Sequence, residues 1–78
     1  MIDKLEISKC FNDDGSEYWT VSNVNGEYEN HTHFTEYKGA KMLKKIVERK
    51  EIPINPYFKQ SALRVSIDLS YKNLIKKG

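Results

Sequence analysis

The sequence holds little of what small proteins use to fasten or anchor themselves. Its single cysteine, Cys10, leaves nothing within the chain to pair with, which excludes a disulfide-stapled secreted scaffold. The four glycines, Gly15, Gly26, Gly39 and Gly78, are scattered, so no loop is built to cradle phosphate. No apolar run approaches the roughly 18 residues of a membrane span. Met1-Ile2-Asp3-Lys4 does not open like a signal peptide, so a cytoplasmic protein without a membrane partner is expected. Arginine is scarce, two residues against eleven lysines, while isoleucine and asparagine are common and alanine occurs twice. Such a bias matches an AT-rich coding sequence, as in low-GC bacteria, their phages and mobile elements.

What is present suits one small domain over residues 1–78. With 38% hydrophobic and 31% charged residues the chain is too apolar for disorder, yet its core must be thin. The net charge of +2 conceals a division. Met1 to Tyr37 holds two basic and eight acidic residues, whereas Lys38 to Gly78 holds eleven basic and three acidic ones. Charge so divided points to partners that read charge, although a solvated dipolar surface shows the same pattern.

Leu5 to Phe11 alternates, with Leu5, Ile7 and Phe11 on one side, and reads as a half-buried strand. Asn12 to Ser16 is a turn in which Gly15 can take positive φ. Glu17 to Val24 reads as a second strand with Trp19 and Val21 sharing a face. Asn25-Gly26 predicts a type I′ hairpin into a third strand, Glu27 to Phe34, placing Glu29, His31 and His33 in one row. A helix is expected from an N-cap at Thr35 to about Lys50, with Ala40, Leu43 and Val47 buried and Gly39 closely approached by the sheet. Ile52 to Phe58, with Pro53 and Pro56, reads as an apolar loop. Leu63 to Tyr71 alternates strictly and predicts a fourth strand; the competitor is a helix with Phe58, Ala62, Val65 and Leu69 on one stripe. Lys72 to Gly78 reads as a basic C-terminal tail. The expected fold is α+β in the order β-β-β-α-β, an antiparallel sheet crossed by one amphipathic helix.

No catalytic motif emerges. Cys10 lacks a signalled base or oxyanion element, and the acidic residues show no pairing suited to acid–base work. Two histidines two apart on a strand have chelating spacing, but two ligands are a weak motif, so neither metal nor other cofactor is expected. Two binding surfaces stand out instead. The acidic residues Asp13, Asp14, Glu17, Glu27, Glu29 and Glu36, with the aromatic anchors Tyr18 and Tyr28, would form an acidic sheet face for a protein partner, a nucleic-acid-binding complex being the expected kind. Lys38, Lys41, Lys45 and Arg49 share one helix face and, with Lys72, Lys76 and Lys77, offer the alternative of binding nucleic acid directly. The expected function is a non-enzymatic protein-binding module, a small phage or mobile-element inhibitor of anti-CRISPR or anti-restriction type, acting as a monomer or homodimer.

The stretch from Trp19 through Asn25-Gly26 to Phe34-Thr35-Glu36-Tyr37-Lys38-Gly39-Ala40 resembles the three-stranded DNA-binding domains of plant ethylene-response factors and integrase arm domains. Those place a tryptophan on a strand and a phenylalanine six residues before a helix alanine. The resemblance covers under a third of the chain and implies a three-stranded sheet beside a helix. It departs in charge: those domains read DNA with basic sheet faces, whereas Glu17, Glu27 and Glu29 are expected on this one.

Overall fold

Alternation of apolar and polar side chains builds the sheet on which the rest of the chain packs. A computed structural model describes residues 2–77. Strands β1 (Leu5–Phe11), β2 (Glu17–Asn23) and β3 (His31–Phe34) form an antiparallel sheet in the order β1-β2-β3. Pairing sets Leu5 against Asn23, Ile7 against Val21 and Trp19 against Phe34. Because side chains alternate, Leu5, Ile7, Trp19, Val21, Thr32 and Phe34 share one face, and Glu6, Ser8, Cys10, Tyr18, Thr20, Ser22, His31 and His33 share the other. Three helices follow, α1 (Tyr37–Glu48), α2 (Pro56–Val65) and α3 (Leu69–Lys77). The class is α+β, with one strand fewer and two helices more than the sequence predicts.

The apolar sheet face meets Ala40, Leu43 and Val47 of α1, all fully buried as the helical phase requires. Ala62, Val65, Tyr71 and Ile75 complete the same core from α2 and α3. Gly39 marks the closest approach to the sheet: a Cβ there would lie 2.8 Å from Cδ1 of the Phe34 ring. Helix α1 begins one residue later than predicted. Its N-cap is Glu36, in extended conformation and without a side-chain capping bond, and not Thr35.

Turn chemistry separates the two hairpins. At Asn12–Ser16, Gly15 takes φ +89° and donates to the Asn12 carbonyl at 3.0 Å, as predicted. The second connection is longer than a type I′ turn, and neither Asn25 nor Gly26 has positive φ. Two consecutive turns run from Asn23 to Asn30: Gly26 donates to Asn23 and Asn30 donates to Glu27. Side chains fix them, since Asn30 Oδ1 accepts from Glu27 N–H at 2.8 Å and Asn25 Nδ2 donates to the Ile2 carbonyl. Consequently β3 starts at His31, and Glu27 and Glu29 lie off the sheet.

The second half departs furthest. Asn55 caps α2, accepting from Tyr57 N–H at 2.8 Å and Phe58 N–H at 3.4 Å, and Pro56 fills the first turn, where its missing N–H is harmless. The predicted loop over Ile52 to Phe58 therefore ends at Asn55. No fourth strand forms at Leu63 to Tyr71. Ala62 and Val65 are buried at helical spacing, Ser66 is fully buried, and Leu69 is 72% exposed, against both the strand pattern and the competing stripe beyond Val65. Asp68 starts α3 by accepting from Ser70 N–H at 3.1 Å and Tyr71 N–H at 3.3 Å. Lys72 to Lys77, predicted as a tail, belong to α3; Gly78 lies outside the described residues.

Asp3 ties these pieces together. Its carboxylate is fully buried and accepts from Asn23 Nδ2 (2.8 Å), Ile67 N–H (2.9 Å), Ser66 Oγ (2.7 Å) and Lys50 Nζ (2.6 Å). Burial pushes this carboxyl up, but the four donors outweigh it and hold Asp3 below the usual carboxylate range. Lys50 also pairs with Asp68 at 3.2 Å and lies over the Tyr71 ring. It ends α1 at φ +57°, with Lys50 N–H donating to Val47 and Glu51 N–H to Ile46, the Schellman closure that normally selects glycine.

Candidate functional site

The acidic residues are not gathered into one face. Asp13 and Asp14 belong to the β1–β2 turn, Glu17 opens β2, and Glu36 follows β3 at the same end of the sheet, where Trp19 pairs with Phe34. Glu27 and Glu29 lie in the opposite connection, beyond the far end of β2. A seven-residue strand at about 3.3 Å per residue puts some 20 Å between the two groups. Glu17 also points to the helix side and pairs with Lys9 at 2.9 Å.

The basic residues fare better. Lys38, Lys41, Lys45 and Arg49 are all exposed on one side of α1, and among the described residues none has a carboxylate within ion-pair distance. They border an open groove whose other wall is Ile7 of β1, with Tyr37 and Met42 adding apolar surface. Lys44, on the β1 side of the helix, is engaged by Glu48 at 2.9 Å. Lys72, Lys76 and Lys77 sit on α3, which packs against α2 and is not part of this groove.

The two sheet edges differ. Along β3 the outward carbonyls are capped from α2: Tyr57 Oη donates to His33 O at 2.6 Å and Arg64 Nε to His31 O at 3.0 Å. Along β1, Val24 N–H donates to Lys4 O and Asn12 N–H to Ser16 O. These bonds bracket the ladder and fix its alternation: the even-numbered residues of β1 turn their peptide groups to β2, and the odd ones turn outward. Leu5 confirms this, because its N–H faces away from β2 and donates to Glu48 Oε2 at 2.9 Å. Ile7 and Lys9 have no such cap among the described residues, so β1 keeps a free edge beside the cationic groove.

On the open face of the sheet, aromatic rings form a ladder: Tyr18 to His33 at 5.3 Å, His33 to His31 at 5.2 Å and His31 to Tyr28 at 5.1 Å between centroids. His31 Nδ1 donates to the Tyr28 carbonyl at 2.6 Å, which fixes its ring. No third histidine, cysteine or carboxylate joins the pair into a metal-binding group among the described residues. Cys10 lies across β2 from the histidines, 3.5 Å from Thr20 Oγ1. This face carries no lysine or arginine, unlike the basic sheet faces of the DNA-binding domains noted above.

Sequence reasoning located the cationic row, since helical spacing is local. It missed the free edge, which depends on α2 covering β3. Tyr57 and Arg64, the capping residues, lie in the stretches predicted as loop and strand. No helix among the described residues is long and apolar enough to cross a membrane. No family model, curated protein or solved structure matches this chain.

Proposed function

We propose that this chain is a non-enzymatic protein-binding module, of the kind with which a phage or mobile element modulates a host nucleic-acid-handling complex. The observation that supports it is the juxtaposition of unpaired cations, an apolar wall and a free sheet edge along one groove. A protein segment uses all three, whereas a phosphate backbone uses the cations alone. The binding surface proposed is therefore the α1 side of β1, and the divided acidic residues form no part of it. Gel-shift titration with single- and double-stranded DNA at low salt tests this: no retardation at micromolar protein is expected.

The second reading is nucleic-acid binding through Lys38, Lys41, Lys45 and Arg49. It is favoured by the absence of ion-pair partners for those four among the described residues. It predicts DNA affinity falling with log salt at a slope of about −0.9 per phosphate contacted, and that result would displace the protein-binding module.

A further inference from the structure

We infer that the partner is an extended acidic segment that adds to β1 as a fourth strand, with glutamate at alternate positions lying in the groove beneath α1. This rests on the protein-binding function proposed above and specifies how the groove is used.

The backbone sets the geometry. Ile7 and Lys9 turn both N–H and C=O away from β2, so an incoming strand opposite them closes a hydrogen-bonded ladder. Leu5 N–H is already taken by Glu48, and Gly15 closes the turn after Phe11, so the segment is confined to the stretch from Ile7 to Phe11. The other edge cannot compete, because Tyr57 and Arg64 occupy the carbonyls of His33 and His31. Sheet edges are usually guarded by a projecting lysine, but Lys9 is folded back, 2.9 Å from Glu17 and over the Phe11 ring.

Parity sets the chemistry. Residues opposite Ile7 and Lys9 direct their side chains to the same face as Ile7, into the groove that Lys41 and Lys45 border. A glutamate there lays its methylenes on Ile7 and presents its carboxylate to cations that have no ion-pair partner among the described residues. Intervening residues fall on the open face beside Ser8 and Cys10, where threonine suits a hydroxyl-rich surface. A phosphate backbone has no donors and acceptors spaced to match the β1 edge.

The probe is a capped eight-residue peptide alternating threonine and glutamate, titrated to millimolar against the full chain and followed by amide exchange. Slowing of about tenfold is expected at Ile7 and Lys9, with Ser8, already turned to β2, unchanged. The alternating threonine–lysine peptide should not protect these amides, and the surface double variant K41E/K45E should lose the effect while keeping its thermal midpoint. Lys9→Pro removes an outward N–H, which an edge strand tolerates, and should abolish protection at Ile7 as well. Binding of the acidic peptide that shifts Lys41 and Lys45 without protecting Ile7 and Lys9 would overturn strand addition and leave the protein-binding function standing. Binding of a twelve-nucleotide single-stranded DNA with no response to either peptide would overturn both. Equal protection without peptide as protein concentration rises would assign the edge to a second copy of the chain, and would also sink the acidic partner.

Discussion

Asp3 Oδ2 and Lys50 Nζ stand 2.6 Å apart although 47 positions separate them in sequence. The contact joins the segment before β1 to the end of α1, and through Ser66 and Ile67 it reaches the α2–α3 connection. A carboxylate with no exposed surface is held by a cation and three neutral donors, an arrangement costly to leave half-made.

Replacing Asp3 by alanine should therefore cost about 3–5 kcal/mol, because Asn23, Ser66 and Ile67 lose an acceptor and Lys50 its closer partner. Urea denaturation measures this. An ordinary exposed residue near a terminus would change stability by less than about 0.5 kcal/mol.

The same network dictates the response to pH. Hydrogen bonds and Lys50 hold Asp3 and Asp68 below their ordinary values, so their contribution is complete above the unfolded value of 3.8 and is lost as pH falls through the folded one. Tyr71 behaves oppositely. Burial first, then the charges of Asp3 and Glu51, raise its phenol to about 12, while its hydroxyl donates to Glu51 O at 2.6 Å. Its stabilisation is complete below pH 10 and is lost as pH rises toward 12. Thermal midpoints should stay level across neutral pH and fall below about pH 4 and above about pH 10; the alkaline fall should shrink in Tyr71→Phe.

Gly39→Ala should destabilise despite alanine's advantage of about 1 kcal/mol within a helix. The added Cβ would lie 2.8 Å from the Phe34 ring, which is itself fixed by Phe58 stacked at 5.7 Å and Tyr57 edge-on at 5.3 Å. Overpacking of this kind costs about 1–3 kcal/mol, so a lower urea midpoint is expected. A stabilised variant would show that Phe34 can move.

Leu43 is fully buried at the centre of α1, and its truncation to alanine should cost about 2–5 kcal/mol. For a domain of this size that is much of the total stability. A calorimetric scan should show a strongly depressed transition or none.

Removing the helix caps tests the second half of the fold. Asn55→Ala and Asp68→Ala each delete an acceptor for two backbone N–H groups; the first should cost about 0.5–2 kcal/mol, and the second, which also loses the Lys50 pair, at least as much. Loss of helical circular dichroism should accompany the Asn55 change. A silent Asn55→Ala would place the energetic start of α2 elsewhere.

The sequence by itself determined the meander and the phase of α1. Leu5, Val21, Phe34, Ala40, Leu43 and Val47 were legible as core because periods of two and 3.6 are written locally, and the same logic placed Lys38, Lys41, Lys45 and Arg49 on one side. Leu63 to Tyr71 satisfied both periods over a short span, so alternation alone could not choose between strand and helix. The caps at Asn55-Pro56 and Asp68 carried the missing signal, outweighed by the apparent barrier of two prolines. Only tertiary structure decided the rest. Nothing local marked Asp3 as buried, because its four donors come from positions 20 to 64 residues away. The length of β2 divided the acidic residues, and α2 left β1 as the free edge by covering β3. Those outcomes depend on which elements pack together, and no local periodicity records that.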